Sequence, residues 1–336
     1  MNFRLGSANE FLVPGSGKKM RFCIYQQKNL GDALLTTPVV SFLCARSDVE
    51  SVTVFCKPSA SAIFERISEK VKVVSWCGST IHRLSLLLNL RVDVMLLPHR
   101  SRTGFFIGLF AGALCLSVGP IRRILWFSPQ SLPVRFTPWR HTAEVNLDLL
   151  RALKMSVPED AKQISLKSLL DDTVRLPDGL PIRYVVVHPG SRWMFKSPEL
   201  PVWEEIVTGL KQRGFNPVLT GQNEGEEGEL LISIATSCQV MSLAGMTSLP
   251  QLTTLISEAQ GYIGVDTFAT HIAAGAGTPG LALYGPTSPL IWGPYGLSNK
   301  VKVIASNNHP CMPCHADGCG GGKRSECLDD LDPVEI

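Results

Sequence analysis

Residues 262–284 read YIGVDTFATHIAAGAGTPGLALY, and this stretch decides the fold. Its apolar residues 262–265 predict a strand, the small residues at 267–276 predict a helix, and residues 280–284 predict a second strand. Strands that are apolar on both faces and separated by a helix are typical of a parallel sheet covered on each side. The stretch therefore predicts one βαβ unit of an α/β domain.

The same alternation occurs twice along the 336 residues, which predicts two Rossmann-like parallel α/β domains with a cleft between them. The strands predicted in the first half lie at 22–25, 51–55, 71–76, 93–97 and 113–118, and the helices at 32–46, 59–68 and 80–90. The strands predicted in the second half lie at 184–188, 217–220, 262–265 and 280–284, and the helices at 202–213, from 225, at 249–259 and at 267–276.

An Asp- and Pro-rich segment at 171–181 is predicted to link the halves. We therefore expect a flexible tail at 1–20, one domain at 21–170, a second at 181–310 and a cysteine-rich segment at 311–336. Ligands of such sheets bind outside the carboxyl ends of the strands, so the functional residues are expected in the loops that follow strands.

The net charge of +3 hides an asymmetry between the halves. Residues 1–168 contain 22 Lys and Arg against 11 Asp and Glu, whereas the remainder contains 10 against 18. A basic half predicts an anionic partner, with a solvated surface divided unevenly as the alternative. The candidates for a basic surface are Arg100, Arg102, Arg122, Arg123, Arg135 and Arg140.

A cytoplasmic location is expected from two features. The first 20 residues lack the apolar core of a secretory signal, and six cysteines lie singly in apolar segments, as reduced core thiols do. The apolar run at 104–121 has about the length of a membrane span, but its four glycines and its Pro favour a buried helix followed by the strand at 113–118.

Two glycine patterns are excluded as nucleotide fingerprints. The pattern Gly275-Ala-Gly-Thr-Pro-Gly280 follows a predicted helix and precedes a strand, the reverse of the order that a dinucleotide-binding turn requires. The pattern Gly15-Ser-Gly-Lys-Lys19 lacks the first Gly and the final Ser or Thr of a P-loop. A dehydrogenase and a P-loop enzyme thus lose their main support.

Asp266 and Thr267 lie where a predicted strand meets the following helix. The pair suits a helix N-cap, and the backbone amides of Thr267, Phe268 and Ala269 would then face an anion at the positive end of the helix dipole. His271, one turn further, is a candidate donor to the same anion or to an acceptor. An ordinary capped helix with a satisfied histidine is the alternative.

The loop His188-Pro-Gly-Ser-Arg-Trp-Met-Phe-Lys196 follows another predicted strand. The hydroxyl of Ser191 and the cations Arg192 and Lys196 suit a diphosphate, because they offset charge that grows on a leaving group. A solvated basic loop explains the residues equally well when they are taken alone. Two such loops at strand ends of one sheet make phosphate binding the better joint interpretation.

Asp32 follows the first predicted strand, in the sequence Leu30-Gly-Asp-Ala33. It is either an N-cap or a carboxylate exposed in the cleft as a general base. Four cysteines lie within 17 residues of the tail, and their spacing matches no standard zinc finger. A structural Zn or Fe site, reduced thiols and reversible disulfides stay open for Cys311, Cys314, Cys319 and Cys327.

Five motifs occur in a specific order and together resemble family 9 glycosyltransferases, the ADP-heptose:lipopolysaccharide heptosyltransferases. They are GDALLTTP at 31–38, HPGSRWMFK at 188–196, VLTG at 218–221, GVDT at 264–267 with HIAA at 271–274, and YGPT at 284–287. The tail DGCGGGKRSECL at 317–328 most resembles the heptosyltransferase III subgroup. The similarity covers the chain from about Arg21 onward.

The resemblance implies a GT-B fold and an inverting transfer that needs no metal and no other cofactor. It implies that Asp32 is the base that deprotonates the acceptor and that Lys196 stabilises the departing ADP. The implied donor residues are Ser191, Lys196, Glu226, Asp266, Thr267, Phe268, Ala269 and His271, with Glu226 chosen from the run 224–229 for the ribose.

The implied partners are ADP-heptose and the phosphorylated, lipid-linked inner core of lipopolysaccharide, with the first domain binding the acceptor and the enzyme peripheral on the cytoplasmic face of the inner membrane. No nucleic-acid partner is expected. A nucleotide-sugar epimerase of the same two-domain type is the alternative enzyme, and a nucleotide-binding module without catalysis is the alternative that is not an enzyme. The Thr267-Phe-Ala269 sequence departs from the Gly or Ser-x-Pro that is frequent in the family.

Overall fold

The structure is a computed structural model that describes residues 19–75, 91–118, 131–134, 139–171 and 173–332, with only the backbone at 131–133. The chain divides into two compact units, residues 1–165 and 166–336. The predicted link at 171–181 lies shortly after this division, and the predicted cysteine-rich segment belongs to the second unit.

The first unit contains a six-stranded sheet of parallel strands in the order β3-β2-β1-β4-β5-β6. Its strands are β1 (Met20–Gln26), β2 (Val49–Cys56), β3 (Val71–Ser75), β4 (Val94–Leu97), β5 (Leu114–Val118) and β6 (Ser131–Val134). Its helices are α1 (Leu30–Leu34), α2 (Thr37–Ala45), α3 (Arg102–Phe110) and α4 (Thr142–Ala152).

The prediction of one continuous helix at 32–46 is wrong, because the structure has two helices there, α1 and α2. Pro38 has no N–H to donate to the carbonyl of Leu34, four residues earlier. The hydroxyl of Thr37 donates to that carbonyl instead, at 2.7 Å. The hydroxyl of Thr36 likewise donates to the carbonyl of Asp32, at 2.8 Å. The break therefore sets α1 apart as a short turn that carries Asp32.

The helix predicted at 59–68 is also wrong, since the chain forms a 3₁₀ helix at Pro58–Ile63 followed by turns. Backbone bonds there join residues three apart, as from Phe64 to Ser61 at 3.0 Å. The helix predicted at 80–90 lies outside the described residues. Strand β6 and helix α4 were not predicted.

The second unit contains a six-stranded parallel sheet in the order β12-β11-β10-β7-β8-β9. Its strands are β7 (Val185–His188), β8 (Pro217–Leu219), β9 (Met241–Ser242), β10 (Gly261–Val265), β11 (Gly280–Tyr284) and β12 (Val301–Ala305). Its helices are α5 (Leu200–Gln212), α6 (Gly225–Cys238), α7 (Leu249–Glu258), α8 (Phe268–Ala276), α9 (Pro289–Trp292) and α10 (Glu326–Asp329).

Both sheets have the doubly wound order, in which the strand sequence reverses beside the first strand of the unit. The reversal lies between β1 and β4 in the first unit and between β7 and β10 in the second. A ligand of such a sheet binds in the crevice outside the carboxyl ends of the strands at the reversal. The order therefore singles out the loops after β1, β4, β7 and β10.

The core of the second unit confirms the predicted apolar stripe of α5. Val202, Trp203, Ile206, Val207 and Leu210 are all buried against the sheet. The indole N–H of the fully buried Trp203 donates to the hydroxyl of Ser197, at 3.0 Å, so this polar atom is satisfied. The packed stripe fixes the start of α5 directly after the loop that carries Lys196.

The apolar run at 104–121 lies largely in α3 and β5, as a helix followed by a strand. Gly104 and Gly108 permit close packing there, because a Cβ on Gly104 would lie 2.8 Å from Leu97 and one on Gly108 would collide with Cys115. Among the described residues, no helix has both the length and the apolar character needed to cross a membrane.

Candidate active site

A partly buried ion pair occupies the strand reversal of the second unit. The ammonium of Lys196 lies 2.7 Å from Oδ2 of Asp266, with exposed fractions of 18% and 7% for the two side chains. The hydroxyl of Tyr284 lies 3.5 Å from Oδ1 of the same carboxylate. Burial raises the pKa of Tyr284 well above its usual value, so its hydroxyl keeps its single proton, and the shorter bond of this hydroxyl, at 2.7 Å, is to the backbone carbonyl of Trp292. Asp266 thus orients Lys196 rather than capping the following helix.

The loop between β7 and α5 carries the other predicted residues. Ser191 is buried, and its hydroxyl accepts a hydrogen bond from the backbone N–H of Trp193, at 3.2 Å. The guanidinium of the exposed Arg192 lies 5.5 Å from the ring centre of Trp193. Lys196 ends a 3₁₀ turn, Met194–Lys196. The loop therefore directs Lys196 inward to Asp266, while Arg192 stays in solvent.

The C-terminal segment braces this loop. The hydroxyl of Ser325, buried at 2% exposure, donates to the carbonyl of Phe195, at 2.6 Å. The carboxylate of Asp329 accepts from the backbone N–H of Glu199, at 2.7 Å, and Arg324 forms an ion pair with the Glu199 carboxylate. The residues on both sides of Lys196 are thus tied to the tail, which the sequence patterns did not indicate.

Helix α8 begins beside the ion pair. Thr267 is its N-cap residue with extended backbone, but among the described residues no side chain caps the helix, so the predicted side-chain cap is wrong. The ring of Phe268 packs edge-on against His188, with 6.0 Å between ring centres. Ala269 and His271 are buried. The imidazole of His271 thus lies inside the unit, beside a helix start that has no side-chain cap among the described residues.

Glu227 rather than Glu226 lies over the carboxyl ends of β7 and β8. Glu226 is exposed. The carboxylate of Glu227 accepts from the backbone N–H of Gln222 at 2.8 Å, and a Cβ on Gly221 would lie 2.7 Å from its Oε1. A Cβ on Gly190 would collide with the same carboxylate. The two glycines make room for Glu227, so we consider it the better ribose candidate.

Burial raises the pKa of Glu227, although the hydrogen bond from the backbone of Gln222 opposes the shift. The carboxylate is therefore held at a cost to the stability of the folded unit. Groups kept at such a cost are frequent at functional sites. The sequence alone does not distinguish Glu226 from Glu227, because the orientation of α6 decides which of the two side chains lies over the strand ends.

Asp32 lies in the first turn of α1, at the strand reversal of the first sheet. Its Oδ2 accepts from the backbone N–H of Asn29, at 3.3 Å, while the residue stays partly exposed. The N-cap interpretation of Asp32 is therefore wrong, because Asn29 is the N-cap and Asp32 is the third residue of α1, whose carboxylate completes a capping box while the residue stays partly exposed. Gln26 and His99, which the sequence analysis missed, lie at the ends of the two adjacent strands.

The predicted basic surface is only partly described. Arg100 and Arg102 are exposed near the start of α3. Arg140 is instead paired with Glu144 at 3.3 Å and Asp148 at 2.9 Å, so its charge is neutralised within the unit. Three further candidates lie outside the described residues: Arg122, Arg123 and Arg135.

The four tail cysteines have free thiols in the described segment up to residue 332. Three of them are exposed, whereas Cys327 is buried beside Gly285, where an added Cβ would lie 3.1 Å from its sulfur. Burial and the neighbouring thiols raise the pKa of Cys327 to about 11. No group of three or more His, Cys, Asp or Glu in the described ranges is arranged to hold a metal ion.

Comparison with known proteins places the chain in a family. The family model for glycosyltransferase family 9 (heptosyltransferase) matches residues 111–323, which is more than half of the chain. The chain belongs to glycosyltransferase family 9. The enzyme is therefore a glycosyltransferase, as its ordered motifs predict.

Lipopolysaccharide heptosyltransferase 3 of Escherichia coli is 28% identical to the enzyme over 308 residues, which cover 84% of this chain and 88% of the relative. The structure of E. coli ADP-heptose lipopolysaccharide heptosyltransferase II is 22% identical, with a TM-score of 0.71 over 94% of this chain and 96% of that one. E. coli heptosyltransferase WaaC with ADP is 19% identical, with a TM-score of 0.68 over 85% and 93%. The predicted GT-B fold is confirmed.

Replacing Glu227 by Gln is expected to stabilise the second unit at neutral pH. Because the pKa of Glu227 is raised in the folded state, its stabilising contribution is complete below the unfolded-state pKa and is lost as pH rises through the folded-state pKa. Gln removes the buried charge and still accepts from the Gln222 N–H. Urea unfolding at acidic and neutral pH measures the effect, with the exposed Glu226→Gln as control. An unchanged midpoint at neutral pH for Glu227→Gln would contradict the raised pKa of this partly buried carboxylate.

Proposed function

We propose that this family 9 enzyme transfers a heptose, with inversion, from ADP-L-glycero-D-manno-heptose to the inner core of lipopolysaccharide, and that it adds the third heptose. The similarity to lipopolysaccharide heptosyltransferase 3 over most of both chains supports the acceptor class. The observation that carries the proposal is the placement of Lys196 against Asp266 beside the start of α8, at the strand reversal of the second sheet.

The second unit is proposed to bind the donor. The backbone amides of Thr267, Phe268 and Ala269 would hold the diphosphate at the start of α8, which the dipole of this nine-residue helix favours. The hydroxyl of Ser191 and the ammonium of Lys196 would add donors from the facing loop.

Three further residues complete the proposed donor site. Asp266 holds Lys196 in place, and Glu227, in preference to Glu226, accepts from the ribose hydroxyls. His271 is 3% exposed, so we assign it to the support of α8 rather than to direct contact with the diphosphate.

The proposed chemistry is a single displacement. Asp32 takes the proton of an acceptor hydroxyl while the oxygen attacks the anomeric carbon of the heptose. The bond from that carbon to the diphosphate oxygen breaks, and ADP leaves with the electron pair. Lys196 and the amides of α8 stabilise the negative charge that develops on ADP, so we propose that no metal ion is required.

The first unit is proposed to bind the phosphorylated, lipid-linked acceptor at the cytoplasmic face of the inner membrane. Arg100 and Arg102 are exposed and support an anionic partner there. The Arg100→Gln/Arg102→Gln variant is expected to raise the KM for the acceptor several-fold and to flatten its dependence on salt. Steady-state kinetics over a range of ionic strength measure this, with Lys300→Gln/Lys302→Gln as a charge-matched control. If the KM for the acceptor and its dependence on salt were both unchanged, Arg100 and Arg102 would be excluded as part of the acceptor-binding surface.

Mass spectrometry of the lipopolysaccharide core from a deletion strain tests the whole proposal. We expect the core to lose one heptose and to regain it when the wild-type gene is restored. An unchanged core after deletion would overturn the proposal. Incubation of the pure enzyme with ADP-heptose alone separates it from an epimerase, because an epimerase converts the donor without an acceptor.

The Asp32→Asn variant is expected to lose about 10²- to 10⁴-fold in kcat, since it lacks the general base. Its affinity for ADP should stay that of the wild type, because the donor site lies in the other unit. Transfer kinetics and calorimetric ADP titration measure the two quantities. A kcat close to that of the wild type would exclude Asp32 as the base.

Glu227→Gln is expected to weaken ADP binding by about 10- to 100-fold, because a charge-assisted hydrogen bond contributes about 1.5–3 kcal/mol. Glu226→Gln is the matched control, one residue earlier on the same helix, and should bind ADP as the wild type does. The opposite order of affinities in calorimetry would restore Glu226 as the ribose residue.

A further inference from the structure

Gln26 joins the two loops at the strand reversal of the first sheet. It is the last residue of β1 and is 1% exposed, and His99 lies two residues beyond the neighbouring strand β4. The register pairs Ile24 with Leu96, so the carboxyl ends of β1 and β4 lie side by side. A single side-chain amide therefore spans the space between His99 and the turn that carries Asp32.

The hydrogen bonds of Gln26 fix the orientation of its amide. Its Oε1 accepts from the backbone N–H of Lys28, at 3.0 Å. Its Nε2 donates to the backbone carbonyl of Asp32 at 3.2 Å and to the hydroxyl of Thr36 at 2.7 Å. A backbone donor faces the oxygen and a backbone acceptor faces the nitrogen, so the amide cannot be reversed without losing both bonds.

This orientation determines the tautomer of His99. Its Nε2 lies 2.8 Å from Oε1 of Gln26, and an amide oxygen only accepts, so Nε2 must carry a proton. Burial, with the nearby charge of Lys28, lowers the pKa of His99 to about 4. The ring is therefore neutral at physiological pH, and its Nδ1 presents a lone pair.

We propose that His99 binds the acceptor sugar, with its Nδ1 accepting a hydrogen bond from an acceptor hydroxyl. Gln26 is then the positioning residue, which holds both His99 and the turn that carries Asp32 in place. The inference rests on the proposed function, because it takes Asp32 as the base for that acceptor. A neutral nitrogen lone pair repels a phosphate oxygen and accepts from a hydroxyl, so the group recognised is a sugar hydroxyl.

The network below Gln26 explains how it positions Asp32. Thr36 and Asn146 are fully buried, and the Asn146 amide donates to the carbonyl of Leu35 at 3.0 Å. The α1 turn is thus held from β1 by Gln26 and from α4 by Asn146. A change at Gln26 would disturb both the Asp32 turn and His99, and a change at His99 would leave the turn held.

Two substitutions separate the nitrogens of His99. The amide nitrogen of His99→Gln can occupy the place of Nε2 and keep the bond to Gln26, but it supplies no acceptor at the place of Nδ1. The oxygen of His99→Asn can occupy the place of Nδ1, but it loses the bond to Gln26. The matched control is His309→Gln, which makes the same chemical change in the second unit.

Two probes are used. Lipopolysaccharide truncated after its second heptose is the acceptor in transfer kinetics, and its deacylated oligosaccharide is titrated calorimetrically in the absence of donor. We expect His99→Gln to raise the acceptor KM and dissociation constant about 3- to 10-fold, the value of one hydrogen bond, at an unchanged donor KM. His99→Asn should raise them less. Gln26→Glu places a carboxylate against the Asp32 carbonyl, so it should lower kcat as well.

Wild-type acceptor affinity in His99→Gln would overturn the inference. A larger loss in His99→Asn than in His99→Gln would also overturn it, because His99 would then serve only to support Gln26. The titrations measure binding without turnover, so they test His99 independently of the reaction. If the wild-type enzyme bound the oligosaccharide but transferred no heptose, the proposed function would be rejected. The affinities of the His99 variants would still decide the role of His99.

Discussion

The backbone pairing of β7 with β10 is the constraint on which the proposed donor site depends. Gly264 lies opposite His188 in this pairing, so the loops that leave the two strands start side by side. Lys196 and Asp266 are 70 residues apart in sequence and still meet at 2.7 Å. Position 264 also has no room for a side chain, because a Cβ there would collide with the hydroxyl of Tyr262 on the same strand and lie 3.1 Å from the carbonyl oxygen of His188 on β7. The ion pair and the start of α8 are therefore held to the rigid centre of a sheet.

The loop that carries Lys196 is held from two directions. Asp266 attracts its ammonium from the sheet, and Ser325 binds the backbone of the preceding residue from the tail. Even partial burial of an ion pair carries a cost of desolvation, which well-supported geometry offsets. The tail thus supports the loop that carries Lys196, through Ser325, Arg324 and Asp329.

Much of the fold could be predicted because its signals are local. The βαβ unit at 262–284 and the stripe of α5 follow from apolar periodicity within single elements. The continuity of the predicted helix at 32–46 failed because the hydroxyls of Thr36 and Thr37 replace backbone donors at the break. Strand β9 has two residues, too few for any periodic pattern.

The site could be predicted only in part, for a related reason. Residues such as Lys196 and Asp266 were singled out because each follows a predicted strand, but their contact depends on strand order, which no local pattern reveals. The choice between Glu226 and Glu227 depends on the rotation of α6 about its axis. Gln26 escaped notice because a glutamine at a strand end has no chemical signature until its four hydrogen bonds are known.

The two units have the same strand order but differ at the start of one helix. The helix concerned is α1, which follows β1, in the first unit, and α8, which follows β10, in the second. In the first unit, the Asp32 carboxylate lies in the first turn of α1 and accepts from the Asn29 N–H, so the chain supplies its own anion. In the second unit, Asp266 turns away to Lys196, and no described side chain caps α8. A helix end that already holds a carboxylate disfavours a second anion, whereas an uncapped one favours it. This difference at the helix ends supports the proposal that the first unit supplies a base and the second binds a diphosphate.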